Sequence, residues 1–465
     1  MKKAAILIIV LLFLTGCGEA ERDPYDSSND VYVLDLVLDT EQNALSVEGE
    51  LYYKNDDHDL DELYVMIDPN AYNPGPDARN VVFSYVRIDG EDVAYDITGE
   101  DGTALHIALG TTLSKGERIS ITFRYRFRYW DFDRIAAYGD YYLTMFFYPR
   151  VAMYDDAGWN VEPYSFRGET YYNKIGDYHV TLDVPEDYLV ACGGKLSGKE
   201  TAGGRTVLEY ELLDARDFSF SASSLYRQYE RTADGVDFSI YAARDLSAAE
   251  VEESFTYLTT TLAVMERDIG DYRYDHFTLE YGNFYGMESS GVIYCSMDIL
   301  EGTVVHELIH QWFYSMIGND QADESFLDEA LTTYATAFYY RERYGMGGYN
   351  GYLDYRTSLK PEFAEKYAAN LGVSLLRQVD DYGEYYGYLI YYHGPAMFRY
   401  YVDEFLAGDI DAMAAILGVY YRENVLKIAT LDGFLDLLER ESGVDVTKEW
   451  FDLQLNEFQD FDNRP

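Results

Sequence analysis

Two histidines four positions apart, His306 and His310 in the stretch TVVHELIHQWFYSM, constrain this chain more than any other feature. Val305, Leu308, Ile309, Trp312, Phe313 and Met316 recur every three or four residues, the period of a helix with one buried face. On that helix the two imidazoles project from the same side, one turn apart, which suits two corners of a tetrahedral metal site. Glu307 stands between them, beside an open corner, where a carboxylate can take a proton from water. Thr303 is expected to cap the start of the helix and Gly318-Asn319-Asp320 to stop it.

A centre of this kind needs a third protein ligand. Glu329 follows His310 by nineteen positions, and Ser325 with Asp328 three residues on reads as a capping box. Glu329 is therefore expected in the first turn of a second helix, folded back alongside the first. The competing reading is a surface helix whose histidines line up by chance; the matched carboxylate favours one zinc ion on His306, His310 and Glu329.

These residues resemble the gluzincin metallopeptidases of the membrane alanyl aminopeptidase family, which carry HExxH, eighteen residues, then Glu. What the family writes as Trp-Leu-Asn-Glu-Gly-Phe-Ala is Phe326-Leu327-Asp328-Glu329-Ala330-Leu331-Thr332 here. Seven residues past the ligand, where relatives often place an acid supporting a zinc histidine, stands Thr336. Upstream, Gly286-Met287-Glu288-Ser289 resembles the Gly-x-Met-Glu-Asn exopeptidase motif, with Tyr285 at its first glycine and Ser289 at its asparagine. That resemblance implies a substrate-binding segment of Gly286, Met287 and Glu288, the glutamate gripping a free amino group. By itself, a glutamate between strands is more simply a solvated turn residue. Downstream, Tyr391-Tyr392-His393-Gly394 resembles the family's Tyr-x-Lys-Gly, which implies Tyr391 as the oxyanion stabiliser, with Tyr386 and Tyr388 as rivals. Relatives add a second amine-binding acid or amide from the amino-terminal domain, and the stretch from Tyr142 to Arg150 offers none.

The rest of the chain divides around this centre. Residues 1–16 read as a signal: Lys2 and Lys3 precede an apolar run too short to span a bilayer. It ends Leu14-Thr15-Gly16-Cys17, resembling a bacterial lipobox, which implies cleavage before Cys17 and its acylation. Residues 17–30 are expected to form a tether of about 20 Å, so the protein is expected outside the cytoplasm, held to a bacterial membrane by lipid. An ordinary secretory signal with an incidental cysteine is the plainer alternative.

From residue 31 to 228 alternating runs such as VYVLDLVLD, ALSVEGELYY and RTVLEYELL predict an all-β domain, a large antiparallel sheet or saddle. From 229 to 465 helices enter, beginning with Ser247 and Glu250 as a capping box. FTLEYGN and GVIYCS read as strands before the metal helix, as in a thermolysin-like domain. The fold class expected is α+β: an amino-terminal β saddle or sandwich, then a thermolysin-like α/β zincin domain. It resembles a short form that lacks the carboxy-terminal helical domain of many relatives.

A formal charge of −47 excludes nucleic acid as a partner, since phosphates demand Lys and Arg. Cys192 and Cys295 fall in different predicted domains, which argues for buried thiols over a disulfide, with Cys295 a lesser candidate ligand. The function expected is zinc-dependent hydrolysis of peptide bonds, as an aminopeptidase. A zinc endopeptidase of the same fold and a catalytically silent binding lipoprotein are the alternatives.

Overall fold

The computed structural model describes residues 27–56, 58–71, 80–99, 101–358 and 379–444. The signal, Cys17, most of the tether and the end of the chain past residue 444 lie outside them. Among the described residues no helix is long and apolar enough to cross a membrane.

The alternating runs form strands. β1 (Asp30–Asp39), β2 (Ala44–Lys54), β3 (Val82–Ile88), β4 (Glu91–Asp92), β5 (Arg118–Arg128), β6 (Gly176–Pro185), β7 (Lys195–Ala202) and β8 (Arg205–Ala215) make an eight-stranded sheet. Its order is β7-β8-β6-β1-β2-β5-β3-β4. Leu34, Leu36, Leu38, Leu45, Val47, Phe123 and Leu182 are buried on one face, as a period of two requires. The sheet is not wholly antiparallel: β1 and β6 run parallel, Asp30 opposite Gly176. That pairing needs a long crossover, and two four-stranded sheets lie within or beyond it.

The carboxy-terminal half starts on a separate sheet: β9 (Arg227–Ala233), β10 (Val236–Ala242), β11 (His276–Gly282), β12 (Gly286–Ser289) and β13 (Val292–Ser296). Its order is β9-β10-β11-β13-β12, so β12, expected as a connection between strands, is instead the edge strand. Between β10 and β11 runs α1 (Ala248–Asp268), capped as expected, with Ser247 and Glu250 exchanging side-chain and backbone bonds. α2 (Glu301–His310) carries the two histidines and packs on β12 and β13.

After α2 come α3 (Leu331–Ser358), bent at Gly345 with φ of 69°, then α4 (Gly394–Phe405), α5 (Ile410–Asn424) and α6 (Leu431–Ser442). Among the described residues three π-helical turns interrupt this half: Gln311–Met316, Phe326–Ala330 and Leu389–His393.

Two caps differ from expectation. α2 begins at Glu301 after Leu300 with no side-chain cap, leaving Thr303 inside the helix. Ser325 does not cap the second helix either; its hydroxyl donates to Gln321 O, and the turn after it is wound wide.

Candidate active site

His306 and His310 leave the same side of α2, and Glu329 faces them from its π-helical turn. His306 Nε2 lies 3.0 Å from Glu329 Oε2, His310 Nε2 3.3 Å from the same oxygen, and the two Nε2 atoms 3.1 Å apart. Metal–ligand bonds of about 2.0–2.1 Å at tetrahedral angles set donors about 3.3 Å apart. The triangle therefore fits one zinc ion.

Two of the three donors already have the protonation state that zinc needs. His310, though burial opposes charge, is pushed toward its charged form by Asp328, Glu288 and Glu329, so a metal ion would take the place of its Nε2 proton. Burial pulls the His306 imidazole down to about 4, which leaves it neutral. Against burial, which opposes charge, His310 and the bond from His306 hold Glu329 below the usual carboxylate range, so it is an anion. His310 Nδ1 sits 2.7 Å from Asp328 Oδ1, both groups fully buried. A proton on Nδ1 turns a bare Nε2 toward the metal position. Asp328 thus supports the ligand histidine from the residue just before Glu329. Thr336 has no such role; its hydroxyl donates to Thr332 O within the helix. Sequence reading took Asp328 for a cap partner and missed this.

Glu307 points at β12. A Cβ built on Gly286 would lie 2.5 Å from Glu307 Oε1 and 2.7 Å from Thr303, so only glycine admits the carboxylate there. Burial pushes the Glu307 carboxyl well above its ordinary value; His310 offsets this, while Glu329, Glu169 and Asp328 add to it. A carboxyl so placed holds a proton readily.

Glu288 is not a solvated turn residue. It is 2 % exposed on β12, and its carboxylate lies within 4.8 Å of His310 and Asp328. Gln321 Nε2 donates to Glu288 Oε1 at 3.2 Å and to Asp328 Oδ2 at 2.7 Å, bridging the two acids. Met287 alternates to the other face of β12 and is buried with Tyr294 and Tyr314.

The turn after Glu288 is fixed from two sides. Asp217 of the amino-terminal half accepts from Ser289 Oγ at 2.6 Å and from Ser290 N at 2.8 Å. Gln311, next to His310, accepts from Gly291 N and donates to Ser289 O.

A second acid does reach the cleft from the amino-terminal half, though not from the strand where it was sought. Glu169 is 7 % exposed and paired with Arg134 at 2.7 Å. Its other oxygen is buried without a partner, and burial pushes the carboxyl up to about 7. Tyr171 O, two residues on, accepts from Gln321 N, which sets this loop beside the Glu288 pocket. No motif marks Glu169 or Gln321 in the sequence.

Of the three candidate tyrosines, Tyr391 reaches the centre: its hydroxyl donates to Glu329 Oε1 at 2.6 Å and its ring lies 6.0 Å from that of His306. Tyr386 packs instead on Gly168, and Tyr388 is buried beside Tyr392. Cys192 and Cys295 are buried free thiols, and Cys295 is in neither cluster of metal-ligating groups among the described residues.

Residues 272–453 match the model of the Peptidase family M1 domain, a stretch holding every residue of the donor triangle. The whole fold is similar to solved structures of an M1 zinc metallopeptidase from Deinococcus radiodurans. One, a point mutant, has a TM-score of 0.68 at 15% identity, covering 94% of this chain and 95% of that one. A second, not a mutant, gives 0.68 at 15%, covering 92% and 93%. A third, a mutant bound to a Tyr-Ser-Ala substrate, gives 0.66 at 15%, covering 92% and 94%. No curated protein matches.

Proposed function

We propose that this chain is a zinc-dependent peptidase that removes amino-terminal residues from peptides. The observation that carries the reading is Glu288: a buried carboxylate on the edge strand, facing the same cleft as the donor triangle, with Glu169 opposite. Several acids converge there (Glu169, Glu288, Glu307, Asp328 and Glu329), so the cleft favours cationic occupants, and a metal ion and a substrate ammonium are two. The M1 domain match and a relative solved with a bound tripeptide support peptides as the substrate class.

His306, His310 and Glu329 would hold the zinc. Zinc bound there supplies Lewis-acid polarisation of the scissile carbonyl and acidifies water beside it. Glu307 takes the proton from the attacking water and passes it to the leaving nitrogen as the C–N bond breaks. Tyr391, turning its hydroxyl from Glu329 to the carbonyl oxygen, donates to the charge that grows there. Glu288 and Glu169 bind the free ammonium, so that cleavage falls one residue in. β12 offers its unpaired edge to the extended peptide.

A zinc endopeptidase is the second reading, favoured because Arg134 already neutralises Glu169. Free aminoacyl reporters and amino-blocked internal peptides, each with and without a chelator, separate the two. We expect chelator-sensitive cleavage of the free aminoacyl reporters. Cleavage of only the blocked peptides would overturn the aminopeptidase assignment.

Extracytoplasmic anchoring through acylated Cys17 is part of the proposal and rests on Leu14-Thr15-Gly16-Cys17. Cys17→Ser should abolish incorporation of labelled fatty acid and release the protein from the membrane fraction.

A further inference from the structure

The direction of a peptide on β12 can be read from two residues. With the ammonium at Glu288 and the scissile bond beside Glu307, which abuts Gly286, the chain runs from Glu288 past Gly286, antiparallel to the strand. Its leaving portion then passes Tyr285, which is 68% exposed. Tyr285 is near enough to Tyr392 to affect its phenol.

Beyond Tyr392 lies Arg356, near the end of α3. Its guanidinium sits between two rings, 5.2 Å from the centroid of Tyr392 and 5.1 Å from that of Tyr352. One Nη donates to Tyr391 O at a long 3.4 Å, the other to Tyr352 OH at 3.0 Å, and Nε is buried without a partner. No carboxylate of the described residues pairs with it, in a chain with 83 acids and 36 Lys and Arg. Five N–H groups in a planar fork, two of them engaged, leave capacity for a planar anion. Aromatic faces hold the fork in place without neutralising it.

We infer that Arg356 forms a subsite for a carboxylate on the leaving side of the substrate, which makes short peptides with a free carboxy terminus the favoured class. The inference rests on the proposed aminopeptidase reading, since the direction is set by the ammonium at Glu288. The alternative source of the same chemistry is an Asp or Glu side chain of the peptide.

The test compares kcat/KM for three tripeptides: a free acid, its carboxy-terminal amide, and an amide with glutamate at the third position. The wild type should favour the free acid over its amide roughly tenfold to a hundredfold, expressed in KM. In Arg356→Gln that ratio should fall to about one, and Arg356→Lys should keep part of it. A glutamyl amide cut as fast as the free acid would support the subsite and assign it to a side chain. Equal rates on acid and plain amide in the wild type, with the glutamyl amide no better, would overturn the subsite alone. So would a ratio left unchanged by Arg356→Gln, because a purely structural role weakens all three substrates together. Failure of the wild type on every free-amino peptide, with blocked internal peptides cut, would sink the aminopeptidase reading and this subsite with it.

Discussion

Asp328 and Glu329 are neighbours in sequence with opposite tasks in the proposed centre, one behind His310 and one a donor of the triangle. With Nδ1 of His310 tied to Asp328, loss of that carboxylate frees the ring to turn and to change tautomer. Asp328→Asn should lower zinc affinity about tenfold to a hundredfold, measured by competition with a chromophoric chelator. Glu307 touches none of the three donors in the triangle. Glu307→Gln should retain stoichiometric zinc by elemental analysis yet lose on the order of a hundredfold or more in turnover; an active variant would exclude Glu307 as the base. The triangle was legible because two of its corners are one helical turn apart, a purely local relation. Glu169 was not, since its pairing with Arg134 and the docking of Tyr171 O on Gln321 N exist only once loops distant in sequence have met.

Helical period predicts elements until a turn admits an extra residue, and here it does so three times. His310 precedes one π-helical turn, Glu329 lies in the second and Tyr391 in the third. Such a turn shifts every later side chain around the axis, so neither the cap at Ser325 nor the facing of Tyr391 follows from spacing alone. α4 meets the second of these turns at Gly394, where an added Cβ would come within 2.4 Å of that of Ala330. Gly394→Ala should therefore push Tyr391 away from Glu329. We expect a loss of about 1–3 kcal/mol of stability by denaturant titration, with a lowered kcat. By contrast α1, with ordinary winding, starts where Ser247 and Glu250 say it should. Strands were read well because alternation over eight or more residues leaves little ambiguity. In the second sheet β9, β10 and β12 were missed, β12 because its four residues are too few to show a period.

Across the whole molecule, the β half and the catalytic half share a buried boundary on which Glu280 sits, fully enclosed, accepting from Tyr226 Oη at 2.6 Å. Burial pushes its carboxyl from 4.5 up to about 8. A folded value above the unfolded one means its contribution is intact below pH 4.5 and is lost as pH rises through 8. Wild-type stability should thus decline between pH 4.5 and 8 more than that of Glu280→Gln, the two profiles diverging by at most about 5 kcal/mol. Parallel profiles would show that Glu280 stays in one state. Both halves were visible in the sequence as a switch of period, yet the sequence could not show how they share the cleft. Asp217 steadies the end of β12 and Glu169 enters the pocket beside it, both from the first half. The half that holds the donor triangle is consequently no portable cassette: expressed by itself it would keep His306, His310 and Glu329 but lose the groups that brace β12 and line the pocket of Glu288.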